Sequence, residues 1–270
     1  TTAARARDEF GCDLVVFPEL TISGYPPEDL LLHRGMRRRV KEALEKVRKN
    51  VKGIGVYVGF PEYDGERIYN SGALFYDGVE LARHRKQALP NYAVFDEKRY
   101  FSAGAGPTVV GFEGVRLGLT ICEDAWEPEP CAAARKAGAD LILVLNGSPY
   151  HIESQAHREA ALADRAREIG IPLVYANMVG GQDELVFDGG SIAVDAGGDV
   201  VYRAPAFDED LYVVELESGS DGVEVVDGQV APLLPAAESV YRALVLGTRD
   251  YVDKNGFDSV VIGFSGGIDS

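Results

Sequence analysis

The 270-residue chain carries 43 acidic against 27 basic residues, a formal charge of −16, with 46% of its residues apolar. That balance supports a sizeable core and works against nonspecific binding to nucleic acid or an anionic membrane, although backbone N–H groups can still hold a local phosphate. No run of about 18 apolar residues is present to span a bilayer, and no signal-like apolar core opens the chain.

Three cysteines, Cys12, Cys122 and Cys131, are odd in number and too far apart for a metal knuckle. A complete disulfide framework is excluded, and a reducing cytoplasm is the expected home. The length suggests one large domain or one and a half. The chain opens without Met in the register of a helix, so the natural N-terminus is expected to be missing.

In chain order, the opening helix leads to the stretch 13–19, a short apolar strand closed by Pro18 and followed by the carboxylate of Glu19. A Gly/Pro loop over 21–27 precedes a helix expected over 29–50, with Arg37, Arg38, Arg39 and Lys41 on a solvated face. A strand over 54–60 is followed by strands over 70–76 and 79–83, joined by Asp77-Gly78, the favoured two-residue turn. Residues 85–101 mix charge with aromatic side chains without any period, which marks an ordered, functional loop.

Strands over 108–112 and 115–121 form a hairpin across Glu113-Gly114, and the second runs into Cys122-Glu123-Asp124 and Trp126. A helix over 130–137, a fully apolar strand over 140–145, a helix over 153–169 and a strand over 171–178 give two successive βα units. A hairpin over 191–194 and 200–203 and a strand over 211–216 follow. Hairpins mixed with βα units fit two packed sheets sheathed by helices better than one doubly wound sheet.

Gly, Asp and Ser dominate 218–230, so the first domain is expected to end at 217, with a linker over 218–235. Beyond it come a helix over 236–254 and an apolar strand over 258–264 that runs into Ser265-Gly266-Gly267-Ile268-Asp269-Ser270. A Ser/Gly loop between a strand and a helix presents N–H groups to phosphate, and this one lacks the Gly-Lys-Ser/Thr of a P-loop.

Glu19, Lys86 and Cys122 stand at strand ends or in the ordered loop. A thiolate attacks acyl carbon, a carboxylate takes its proton and returns it to a leaving amine, and an ammonium holds the oxyanion, so the three make a complete amidase kit. Histidine is the usual base for cysteine, but His33, His84, His151 and His157 have no such context, and no metal cluster is visible. Cys12 and Cys131 read as core fillers and Trp126 as a packing residue.

Phe17-Pro18-Glu19-Leu20 with Ser23-Gly24-Tyr25, then Lys86 with Leu89-Pro90-Asn91-Tyr92 and Val94-Phe95-Asp96-Glu97, then Ile121-Cys122-Glu123-Asp124 with Trp126, resemble the Glu, Lys and Cys signatures of the nitrilase (carbon-nitrogen hydrolase) superfamily, in order. Asn146-Gly147-Ser148-Pro149-Tyr150-His151 and the run 177–191 narrow the resemblance to the glutaminase domain of glutamine-dependent NAD synthetases. Gly263-Phe264-Ser265-Gly266-Gly267-Ile268-Asp269-Ser270 resembles the pyrophosphate loop of N-type ATP pyrophosphatases.

The resemblance implies a four-layer αββα sandwich over 1–217, then the first helix and strand of an α/β ATP-pyrophosphatase domain over 236–270, truncated. It implies Cys122 as nucleophile toward the side-chain amide of glutamine, Glu19 as general base and acid, and Lys86 as oxyanion holder. Glu97 is implied to orient Lys86, with a surface charge as the other reading. Tyr92, Ser148 and Ser154 fall at glutamine-contacting positions. Tyr25 and Glu123 are further pocket candidates, against core packing and solvated charge.

At 154 the family carries Lys or Arg, so a cation expected near the substrate carboxylate is missing. Arg158 is the nearest substitute, against a solvated helix role. Gly263, Ser265, Gly266, Gly267, Asp269 and Ser270 are implied to bind ATP.

The glutaminase step needs no cofactor. The complete synthetase would use ATP, Mg and nicotinate adenine dinucleotide, consume the released ammonia and form a homo-oligomer in the cytoplasm. These 270 residues are expected to hydrolyse glutamine without forming NAD. The competing readings are a free-standing nitrilase-type amidase and a non-catalytic scaffold.

Overall fold

A computed structural model describes residues 1–219, 222–226 and 228–268. Helix α1 (Thr2–Phe10) is stopped by Gly11 in the left-handed region and feeds strand β1 (Leu14–Val16). The helix expected over 29–50 is broken at His33. Residues Glu28–Leu32 form a 3-10 turn that buries Leu31, and α2 (Arg34–Asn50) starts afresh beyond the extended His33. Its basic residues face solvent as expected.

Strands β2 (Gly55–Asp64), β3 (Arg67–Tyr76) and β4 (Val79–Arg85) form a meander, longer than alternation indicated because charged residues conceal the turn at Gly65. Apart from the short helix α3 (Glu97–Tyr100), the aromatic loop is irregular. The hairpin of β5 (Thr108–Phe112) and β6 (Val115–Ile121) precedes α4 (Pro128–Lys136), β7 (Leu141–Asn146), α5 (Ser154–Ile169) and β8 (Leu173–Asn177).

A hairpin that the sequence did not reveal, β9 (Val179–Gln182) with β10 (Leu185–Asp188), comes before β11 (Ile192–Val194) and β12 (Val200–Arg203). The strand expected over 211–216 does not form. Instead β13 (Leu216–Gly219) pairs with β14 (Gly222–Val225) inside the expected linker, because Val223 and Val225 alternate into a buried face.

Two sheets form the centre. One has the order β1-β2-β3-β4 and the other β12-β11-β8-β7-β6-β5. Strand β7 shows why they stack: Leu141, Leu143 and Leu145 point between the sheets, toward Tyr57 and Leu74, while Ile142 and Val144 point at the opposite layer with Leu162 and Ala166 of α5. On the first sheet's outer face, Val40 of α2 and Ala6 of α1 cover Val56, Val58 and Phe75. The layers are therefore helix, sheet, sheet, helix, as expected.

Helix α6 (Ala236–Lys254) lies on the β9–β10 hairpin, where Asp250 accepts the Gly181 N–H at 2.8 Å and Lys254 donates to the Gly181 carbonyl at 2.5 Å. The strand expected over 258–264 is not formed. An apolar run becomes a strand only beside another strand, and none among the described residues pairs with it. Val261 is 98% exposed and Phe264 82%. No helix opens at Ile268, and Asp269 and Ser270 lie outside the described residues.

Candidate active site

The edge where β1 and β6 end is crossed by the segment after β4, and this brings distant charges together. Two glycines make the approach possible. A Cβ on Gly59 would lie 2.5 Å from the Leu20 backbone nitrogen, so only a bare backbone lets the Pro18-Glu19-Leu20 turn rest on β2. Gly104, whose N–H donates to the Lys86 carbonyl at 2.8 Å, likewise has no room for a Cβ beside the Arg85 carbonyl.

Glu19 and Lys86 are both completely buried. The Lys86 ammonium donates to Glu19 Oε1 at 2.8 Å and to Glu97 Oε1 at 2.7 Å. Asn70 Nδ2 adds a third bond, to Glu19 Oε1 at 2.7 Å. Glu19 Oε2 and Glu97 Oε2 have no hydrogen-bond partner among the described residues. An unpaired oxygen held at a fixed place is free to accept a hydrogen bond from an incoming group.

Cys122 follows β6 directly, is buried, and has φ 45°, the left-handed region that side chains avoid. Such strain is worth about 1–3 kcal/mol and turns the thiol off the strand end. Burial drives this thiol well above the usual cysteine range, the Glu19 charge pushes the same way, and Lys86 opposes them. It is therefore a thiol at rest, and needs a base as it attacks.

Burial also works against the Lys86 charge, but Glu19 and Glu97 outweigh it and hold the ammonium protonated. Glu97 is pushed up to about 7 by burial, with Lys86 opposing and Glu19 adding to the rise. Glu97 is buried, so the surface-charge reading of this residue is corrected.

The Tyr92 hydroxyl bonds both Glu123 oxygens, at 2.9 and 3.0 Å. Outside the buried charges is a cleft of about 480 Å³ whose walls include Gln87, Leu89, Tyr92, Lys98, Glu123 and Glu127. These walls carry the residues next in sequence to Lys86 and Cys122. Tyr25 is buried edge-on to Phe187 and is in the electrostatic field of Glu19, Glu97, Lys86 and Cys122.

Ser148 and Ser154 belong to an adjoining network. Arg158, for which the sequence offered a substitute cation or a solvated helix role, is 1% exposed: it grips Asp188 at 2.6 and 2.9 Å and donates to Ser148 Oγ at 3.2 Å. A guanidinium so occupied is no free partner for a substrate carboxylate. Ser154 Oγ also faces Asp188, at 3.4 Å. The loop with Gly263, Ser265, Gly266 and Gly267 is not part of this cluster.

Sequence reasoning missed Asn70, His84 and Asp124, all fully buried. Only Asn70, a polar side chain in an otherwise largely apolar strand, offered a signal, since a buried polar group must be paired; His84 lies in the charged strand β4 and Asp124 in the turn after β6. No group of three or more His, Cys, Asp or Glu able to hold a metal ion occurs among the described residues. No helix among them is long and apolar enough to cross a membrane.

The carbon-nitrogen hydrolase family model matches residues 1–220. A glutamine-dependent NAD(+) synthetase of Xanthomonas campestris pv. campestris is 46% identical over 273 residues, which cover 99% of this chain and 49% of that relative. The glutamine-dependent NAD+ synthetase of Acinetobacter baumannii, solved in complex with ADP, superposes with a TM-score of 0.92 at 40% identity, covering 99% of this chain and 50% of that one.

An amidase from Nesterenkonia sp. AN1, with acrylamide added to its active-site cysteine, superposes with a TM-score of 0.68 at 31% identity, covering 76% of this chain and 80% of that one. The chain spans about half the length of the curated relatives it matches.

Proposed function

Because the chain belongs to the carbon-nitrogen hydrolase family, we propose that Cys122, Glu19 and Lys86 hydrolyse the side-chain amide of glutamine. The observation that carries this reading is one buried ammonium held between Glu19 and Glu97, in the electrostatic field of a buried thiol. Glu19 takes the thiol proton as sulfur attacks the amide carbon. Lys86 then holds the oxyanion, which develops where no water competes for it.

Collapse of the tetrahedral adduct breaks the C–N bond, and Glu19 returns the proton to the leaving ammonia. Water then attacks the thioester with Glu19 again as base, releasing glutamate and restoring the thiol. Glu97, protonated or charged, keeps Lys86 aimed at the reacting oxygen.

Glu123, held by Tyr92 at the cleft, suits the α-ammonium of glutamine. With Arg158 occupied, the α-carboxylate is met by a neutral donor, the Ser148 hydroxyl, joined by Ser154 once its hydroxyl turns from Asp188, and Tyr25 packs against the substrate chain.

The wider reading follows from the relatives. Residues 1–217 act as the glutaminase unit, 218–235 as a connector and 236–270 as the start of an ATP-dependent synthetase. That synthetase would amidate nicotinate adenine dinucleotide with the released ammonia, in a cytoplasmic homo-oligomer. The described part of the Ser/Gly stretch is irregular, and the use of ATP and Mg is supported by the relatives and by the Ser/Gly motif.

A free-standing amidase is the second reading, favoured by the missing cation at 154 and the similarity to the Nesterenkonia amidase. Ammonia release from glutamine, set beside release from ureido acids and simple aliphatic amides, tests both. Preference for glutamine, abolished by Cys122→Ala, supports the first. Equal or better turnover of the small amides overturns it.

A further inference from the structure

The Asp124 carboxylate is completely buried and receives four hydrogen bonds. Its Oδ1 accepts the backbone N–H groups of Gln87 at 2.9 Å and Ala88 at 2.8 Å. Its Oδ2 accepts the Ile121 N–H at 3.1 Å and pairs with His84 Nε2 at 2.9 Å. A carboxylate only accepts here, so His84 carries its proton on Nε2. On its other side His84 Nδ1 lies 3.2 Å from Thr108 Oγ1 on β5.

These donors come from two places. Three flank Lys86: His84 two residues before it, Gln87 and Ala88 directly after it. The fourth, Ile121, is the residue before Cys122. No other buried side chain among the described residues bonds both segments. From this geometry we infer that Asp124, braced by His84, is a positioning clamp that fixes the Lys86 ammonium relative to the Cys122 thiol.

The inference rests on the amidase reading for what the clamp serves, but its geometry is independent of substrate. It gives His84 a role other than that of a base toward cysteine. It also separates Asp124 from its neighbour Glu123, which faces the cleft. The physical reason for a carboxylate is its acceptor count: one oxygen for each pair of donors, with no donor of its own to clash.

The test measures kcat and KM for ammonia release from glutamine in the full chain, with the rate at which a chloroketone analogue of glutamine alkylates Cys122. Asp124→Asn offers one acceptor oxygen to four donors, and a small misplacement of reacting groups is expected to lower kcat about 100-fold while KM changes less than about threefold. His84→Gln retains an N–H donor and is expected within about threefold of the parent kcat, whereas His84→Leu falls about tenfold or more.

Parent-like kcat in Asp124→Asn overturns the clamp. So does a loss matched by the fraction of chain that fails to label, since that is a folding effect. If Asp124→Asn does not fold, the histidine pair decides: equal kcat for His84→Gln and His84→Leu overturns the proposal. If the parent chain releases no ammonia from glutamine, the amidase reading fails separately, and the alkylation rates of the same variants carry the same expected order.

Discussion

The edge formed by the ends of β1 and β6 and the stretch over 255–268 handle side chains in opposite ways. At the first, Glu19, Lys86, His84 and Asp124 are fully buried, each held by named partners from other segments. At the second, Val260, Val261, Ile262, Phe264 and Ile268 are all more than half exposed, although their sequence is as apolar as that of β7. Charge inside and grease outside is the reverse of what composition predicts. Burial of either kind depends on neighbours: the sheets supply them to Lys86, and no strand among the described residues supplies them to Val261.

The contrast can be broken most severely at its centre. Cys122→Ala is expected to lower ammonia release from glutamine by about 10⁴-fold or more, because the covalent route is lost while the surrounding charges remain. Glu97→Gln should lower kcat about 100-fold by loosening the Lys86 ammonium.

The same variant has a signature in stability. With the folded Glu97 raised to about 7 from an ordinary 4.5, its proton favours the folded state below pH 4.5, and that contribution is lost as pH rises through 7. A permanently neutral glutamine does not suffer the loss, so its melting temperature relative to the parent should climb between pH 5 and 8. A flat difference across that range would falsify the assignment.

Gly59→Ala places a Cβ against the backbone beside Glu19, and should cost about 1–3 kcal/mol in denaturant unfolding. At the exposed end Val261→Asp should leave glutamine hydrolysis unchanged and stability within about 0.5 kcal/mol, the ordinary range for a surface site. A large effect there would show that the stretch is packed in solution, and would erase the contrast.

Most of the layered fold could be read from apolar runs and alternation, the fully apolar β7 being the clearest case. The β9–β10 hairpin could not, because Gly180 and Gly181 are poor strand formers, and the pair is held from outside by Asp250 and Lys254 of α6. The break at His33 stayed hidden since both sides of it read as helix. The strand over 258–264 was misread for the opposite reason: its propensity is real, but its pairing is absent.

Within the site, Glu19 and Cys122 stood out because each follows an apolar run, and Lys86 because it stands in the aromatic loop over 85–101. Asn70, His84 and Asp124 did not, because their roles depend on register. Lys86 N–H meets the Asn70 carbonyl at 2.8 Å only when β3 and β4 pair with Ser71 opposite Arg85. Pairing of that kind is a long-range property that no local window contains. Arg158 was misjudged in the same way, since Asp188 reaches it from thirty positions away.

Gly59 and Gly104 carry a message about lineages as well as about shape. Neither holds a proton, touches a substrate or would attract notice in a search for reactive groups. Yet any descendant that keeps its base on the first turn and its ammonium after the meander must keep both positions bare. A mutational history of this chain should therefore show two chemically silent sites held to glycine by the room the backbone leaves them.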